Sequence, residues 1–322
     1  MKQITVPDLY CPFQTKINKH VDVLEDYALE WVLRFNLLAH KSSYQRFSKA
    51  KFFLLAAGTY PSCQLEELKI ANDLLSWLFI WDDQCDLSDL RKQPELLKGF
   101  HNRFLEILNG EELTNQDVPL AHALSNLRHR ILERGNTKWF HHFVRSFKGY
   151  FQGCVEEATN RAQGVIPDID TYMVIRILAG GVEPVIELIE FCDHLMIPDF
   201  LREQDIVKNL KLIANKVLCW GNDIFSAFRE MADGDVHNLV LVLHYQQKLP
   251  LEQAMKRAVE IHDQDVLTMM NLEASIPTFG EKEDAELAKY ISGLHSWISA
   301  NLDWCAQTTR YQTTEKLKVI KS

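Results

Sequence analysis

No CxxC pair occurs in the 322 residues, and the seven cysteines, at 11, 63, 85, 154, 192, 219 and 305, are odd in number. The common paired-cysteine zinc frameworks are therefore excluded. The thiols read as reduced, in a cytoplasmic setting. Basic charge is short: 35 Lys and Arg face 44 Asp and Glu, a net −9. General nucleic-acid binding needs a basic surface, so that class is set aside. An acidic pocket takes an anionic phosphate only where divalent cations stand between them. Long apolar runs are also missing. Leu74–Trp81 is short, and Val174–Leu178 is interrupted by Arg176. No membrane span is expected. Met1–Pro12 lacks the apolar run of a signal peptide. Period-2 runs of Val, Ile and Thr are scarce, which argues against a sheet. Neither repeats nor low-complexity tracts nor long polar linkers divide the chain.

What remains is helical patterning. With 47% hydrophobic residues the chain can bury a core of its own. Apolar periodicity predicts helices over 20–38, 44–57, 64–84, 94–108, 117–134, 137–163, 168–179, 183–193, 203–232, 236–246, 251–273 and 283–308. Loop chemistry separates them, as at Tyr60-Pro61-Ser62, Asn109-Gly110 and Ile166-Pro167-Asp168. One all-α domain over 1–322 is the simplest account. The oligomeric state is open, a homodimer included. A Lys/Arg-containing tail follows Trp304 and is expected to order when a site closes.

Two stripes of oxygen donors lie about 140 residues apart. The first is Asp82, Asp83 and Asp86, directly after the apolar Leu74–Trp81. Acids are disfavoured at a helix C-terminal end unless a cation accompanies them. The second is Asn222, Ser226 and Glu230, with Arg229 adjacent. Positions i, i+4 and i+8 share one face of a helix. Asn and Ser are mediocre helix formers, so their place inside a long helix calls for a reason. Hard oxygen donors suit Mg²⁺ or Mn²⁺ rather than zinc or copper.

Between the stripes, a helix over Tyr172–Leu178 is interrupted by Ala179-Gly180-Gly181-Val182-Glu183-Pro184. The glycines relax the backbone, and Pro184 withholds an N–H. Carbonyls at Ala179 and Gly180 should be freed, with Arg176 one turn earlier on the same side. Near the end of the sequence, Arg310 and Tyr311 can donate to phosphate oxygens. Alone, this is an unremarkable dipeptide.

Together these residues resemble a class I terpene synthase of the compact bacterial type, over roughly 70% of the chain. Asp82, Asp83 and Asp86 match the family's aspartate-rich motif. Asn222, Ser226 and Glu230 match its Asn-Ser-Glu metal motif, with Arg229 where Lys is common. Arg176 matches the diphosphate sensor, Ala179 and Gly180 the linker and effector positions, and Arg310-Tyr311 the C-terminal pair. The resemblance implies a helical bundle around a deep apolar active-site cavity. It also implies a trio of Mg²⁺ ions that bind with the diphosphate. Asp82 would be the firmest ligand of its motif, and Asp83 would pair with Arg310.

The activity so implied is ionisation of a prenyl diphosphate, most simply farnesyl diphosphate, and cyclisation of the cation to a sesquiterpene. Arg176, Arg229, Arg310 and Tyr311 would bind the diphosphate, and the Gly180 carbonyl would help ionisation. Phe79, one turn before Asp82, and Trp304, two turns after Trp297, are candidate cavity aromatics whose ring faces stabilise a cation. Two rivals stand. A chain-elongating prenyltransferase shares the fold but normally carries a second aspartate-rich motif in place of Asn222, Ser226 and Glu230. A non-catalytic helical binding protein would tolerate loss of a ligand, and none is missing.

Overall fold

The computed structural model describes residues 6–38 and 40–311; the basic tail beyond Tyr311 lies outside them. Among the described residues every regular element is helical. The order is α1 (Val21–Arg34), α2 (Lys41–Ala50), α3 (Phe52–Thr59), α4 (Leu65–Leu87), α5 (Pro94–Asn109), α6 (Pro119–Arg134) and α7 (Thr137–Gln163). There follow α8 (Ile169–Ala179), α9 (Val182–Cys192), α10 (Asp199–Arg202), α11 (Asp205–Ala232), α12 (Leu239–Gln246), α13 (Leu251–Glu273) and α14 (Glu281–Gln307). Short 3₁₀ turns cover Leu90–Lys92 and Thr309–Tyr311.

Local chemistry sets many ends. Pro94 and Pro119 open α5 and α6 at positions where a missing N–H costs nothing. Asn136 caps α7 through Lys138 N, Asp168 caps α8 through Thr171 N, and Asn238 caps α12 through Val240 N. Gly110 and Gly164 close α5 and α7 in the left-handed conformation.

Two predicted elements need correction. The expected helix over 44–57 is divided, because Lys51 takes φ 53° between α2 and α3. Periodicity could not register a one-residue interruption. The helix expected to stop at 84 runs on to Leu87, so all three aspartates stand on α4. The short α10 was not anticipated; four residues carry too little periodicity.

Burial explains the arrangement. Trp77 of α4, Phe104 of α5 and Phe143 and Phe147 of α7 are almost completely enclosed. Trp77 keeps its indole N–H satisfied on Leu120 O at 2.8 Å. The core extends through α11 and α14 without interruption. α9 packs against both α4 and α11, and a cavity opens where those two long helices bring their polar ends together. Among the described residues no helix is long and apolar enough to cross a membrane.

Candidate active site

The first stripe occupies the last turns of α4. The carbonyl end of the helix disfavours these acids, and a guanidinium compensates. Arg310 donates Nη2 to Asp82 Oδ2 and Nη1 to Asp83 Oδ1, both at 2.7 Å. Its side chain is only 8% exposed, so the Arg310-Tyr311 dipeptide is seated in the fold rather than loose on its surface. Asp86 lies apart, with Arg91 Nη1 at 3.7 Å. Burial and the charge of Asp82 push its carboxyl above the usual range, against the pull of Arg91, Arg229 and Arg161.

The second stripe stands on α11 and is more deeply bound. Asn222 Oδ1 accepts from Arg176 Nη2 at 2.9 Å, and its Nδ2 donates to the Tyr311 hydroxyl at 2.7 Å. Asn238, the α12 cap, donates to Glu230 Oε2 at 2.9 Å and to Ser226 Oγ at 3.3 Å. Arg229 reaches Glu230 at 3.4 Å. Burial raises the Glu230 carboxyl, with Arg229 opposing. Beside this stripe, buried Asp223 takes Arg176 Nε at 2.9 Å, the Leu239 N–H at 2.9 Å and the Tyr172 hydroxyl. Arg176 is thereby fixed in orientation by two neighbours on one helix turn.

Between the stripes lies a cavity of about 220 Å³. Asp82, Asp86, Asn222, Glu230 and the guanidinium groups of Arg176, Arg229 and Arg310 line its polar part. Leu55, Leu75, Leu78, Val185, Leu218 and Trp297 supply apolar wall. Ala179 and Gly180 also line it, at the break between α8 and α9. Gly181 makes that break with φ +67°, a conformation glycine adopts freely. Pro184, inside the first turn of α9, has no N–H to offer the Gly180 carbonyl four residues back.

The structure brings most expected site residues together. Phe79 lines the cavity, stacked on Phe52 at 4.2 Å and covered by Arg310 at 5.0 Å. Asp83 turns away from the cavity to hold Arg310, the pairing the resemblance implied. Two residues are placed differently. Ser226 is fully enclosed beneath the stripe, its hydroxyl on Asn238. Trp304 is not on the cavity wall; it packs behind Phe79 at 5.4 Å and ties its N–H to Ala50 O. Trp297, on the same helix face, lines the cavity instead. Helical phase chose the face correctly, but Phe79 and Tyr311 stand between Trp304 and the cavity.

Several contributors escaped the sequence reading. Asp235 binds Arg161 Nη2 at 3.0 Å and Arg91 Nη1 at 3.4 Å, linking the loop after α11 to α7 and to the turn after α4. Arg161 also meets Glu157 at 3.1 Å. The i, i+4 spacing of that pair was legible, but its partner Asp235 was not. Asp223 gave a signal too: an acid among the apolar residues of α11 needs a buried counter-charge.

The donor set fits hard divalent cations. Every group offered by the two stripes is oxygen. The raised carboxyls of Asp86 and Glu230 mark sites where added positive charge is favourable. Among the described residues no three His, Cys, Asp or Glu side chains converge on one point.

An all-α bundle whose two oxygen-lined helix faces meet over an apolar cavity has the architecture of a class I terpene synthase. The model for terpene synthase family 2, C-terminal metal binding, matches residues 73–267, more than half of the chain. The sequence is 56% identical over 319 residues to the germacrene A synthase of Nostoc punctiforme, covering 99% of each. It is 36% identical over 312 residues to a (+)-T-muurolol synthase of Roseiflexus castenholzii, covering 96% of this chain and 94% of the relative. The crystal structure of germacradien-4-ol synthase from Streptomyces citricolor superposes with a TM-score of 0.83 at 24% identity, over 94% of this chain and 99% of that one; it shares the fold. The chain belongs to terpene synthase family 2.

Proposed function

We propose that the chain is a divalent-metal-dependent sesquiterpene cyclase, a carbon–oxygen lyase acting on farnesyl diphosphate, with residues 1–322 working as one catalytic unit. The observation that carries this reading is the meeting of both oxygen stripes and three arginines over one apolar cavity. Asp82, Asp86, Asn222, Ser226 and Glu230 would hold Mg²⁺, a trio of ions with bound diphosphate, or Mn²⁺ in its place. Such ions supply Lewis-acid stabilisation of the departing diphosphate.

The chain's own residues do the rest. Arg176, Arg229, Arg310 and Tyr311 bind and orient the leaving group, and their donors stabilise the charge that grows on it. The C1–O bond breaks, and its electron pair leaves with the diphosphate. The allylic cation is attacked by a distal double bond, so a carbon–carbon bond forms and a tertiary cation remains. Loss of a proton to the retained diphosphate gives the cyclic hydrocarbon. Phe79 would offer the cation the ring face that Arg310 covers, worth about 0.5–2 kcal/mol, once that guanidinium moves onto the diphosphate. Arg310 and Tyr311, drawn over the mouth by Asp82, Asp83 and Asn222, exclude the water that would otherwise give an alcohol. For Ser226, now fully buried, the role requires its hydroxyl oxygen to come within reach of the cavity. The identity to the Nostoc enzyme supports germacrene A as the product.

The test is incubation of the protein with geranyl, farnesyl and geranylgeranyl diphosphates, with Mg²⁺ or with EDTA, followed by gas chromatography–mass spectrometry and diphosphate assay. A cyclic C15 hydrocarbon is expected from farnesyl diphosphate with metal alone. Absence of hydrocarbon and of diphosphate release from all three substrates would overturn the reading. Product that requires isopentenyl diphosphate would instead identify chain elongation.

A further inference from the structure

We infer that Gly153, in the middle of α7, is a positioning residue for this reaction: its missing side chain sets how far the Ala179–Gly180 backbone reaches into the cavity. The inference rests on the cyclase reading and deepens it. A glycine inside a 27-residue helix costs roughly 1 kcal/mol against alanine, so a reason for it must lie outside α7.

That reason is the end of α8. A Cβ on Gly153 would stand 2.5 Å from Ala179 N, 2.7 Å from Leu178 Cβ and 2.8 Å from Leu178 C. Real Cβ contacts do not come that close, so the break would have to retreat by about 0.5 Å or more. Other close glycines differ in kind. Gly58 and Gly293 meet the side chains of Ala300 and Ile189 first, whereas Gly153 meets the backbone of the break itself. Its neighbour Cys154 directs its thiol at the Ala179 carbonyl, at 3.9 Å.

The opposite side is equally tight. A Cβ on Gly180 would lie 2.6 Å from Cys219 Sγ on α11. That sulfur lies 3.6 Å from Arg176 O and 3.3 Å from Asn215 Oδ1, and Cys219 stands one turn before Asn222. The break is thus held between α7 and the helix that carries the second stripe. A displacement from either side moves the cavity backbone relative to the bound diphosphate. Misplacement on the scale of 1 Å costs about a hundredfold in rate.

Gly149 provides the control. It lies one turn earlier on α7, and a Cβ there meets only Leu178 Cδ2 at an ordinary 3.7 Å. The experiment compares full-length wild type, Gly153→Ala, Gly149→Ala and Cys219→Ala with farnesyl diphosphate and Mg²⁺. It measures kcat, KM, product ratio and thermal midpoint. For Gly153→Ala, kcat should fall about tenfold to a hundredfold, KM should change little, and acyclic products should rise. Gly149→Ala should keep wild-type kinetics and products. Gly153→Ala matching Gly149→Ala in kcat and products, or differing only in thermal midpoint, would overturn the inference. Should Gly153→Ala fail to fold, Cys219→Ala decides: removing the opposing wall should shift the product ratio, and an unchanged ratio would overturn it. Wild-type inactivity on every prenyl diphosphate would refute the cyclase reading itself, a separate result.

Discussion

The two oxygen stripes solve the same problem in opposite ways. On α4, Asp82 has a half-exposed side chain, and it and Asp83 are held by a single residue, Arg310, from the far end of the described chain. On α11, Asn222, Ser226 and Glu230 are tied to Arg176, Tyr311, Arg229 and Asn238, with buried Asp223 beside them. The first stripe can change partners by moving one side chain. The second is pre-organised by a network in which each member fixes another. One helix therefore acts as the adjustable jaw of the site and the other as the fixed one.

That contrast can be broken experimentally. Asn222→Ala strikes the fixed jaw, freeing both Arg176 Nη2 and the Tyr311 hydroxyl. Turnover should fall by at least about a thousandfold, the scale on which lost electrostatic preorganisation is felt, with the helical circular dichroism intact. Full activity would remove the second stripe from the site.

Arg310→Ala strikes the adjustable jaw. Asp82 remains free to bind cation, so the loss should be smaller, about tenfold to a hundredfold, with more farnesol from water capture. A defect equal to that of Asn222→Ala would erase the distinction. Phe79→Leu sits between the jaws and keeps the volume while removing the ring face. The product ratio should shift with a loss of turnover of about twofold to thirtyfold, for the interaction removed is about 0.5–2 kcal/mol. An unaltered product profile would reduce Phe79 to packing.

The smallest effect concerns pH. Burial pushes the Asp235 carboxyl up, but the charge and hydrogen bonds of Arg161 and the His237 N–H outweigh it and hold it down at about 2. A carboxyl depressed in the folded state stabilises fully above its unfolded value of 3.8 and loses that contribution as pH falls toward about 2. Chemical denaturation across this window should show a loss on the order of 2 kcal/mol that Asp235→Asn lacks. Identical acid slopes would show that the Asp235 pairing adds nothing to stability.

Much of this was legible beforehand because helices report their faces through spacing. The i, i+4, i+8 run of Asn222, Ser226 and Glu230 fell on one continuous helix as the period requires. The break at Gly180 and Gly181 was visible from two glycines and a proline. Lys51 was not, because a lysine in the left-handed conformation leaves no compositional mark. Trp304 shows a different limit: helical phase gives direction but not what stands in front, and Phe79 and Tyr311 take the wall at its level. Asp235 and Asn238 were missed because their importance comes from partners distant in sequence or from a loop without periodicity.

The order of residues determined by itself the helices, the two donor stripes, the interrupted α8–α9 segment and the hard-cation chemistry, since each depends on local geometry and on the atoms a side chain carries. Only the packed structure decided that Arg310 would take Asp82 as well as Asp83, that Asp223 would orient Arg176, and that Gly153 would seat the break. Those contacts join residues brought together by burial of the apolar faces of α4, α7, α11 and α14, and no spacing along the chain encodes a distance across the core.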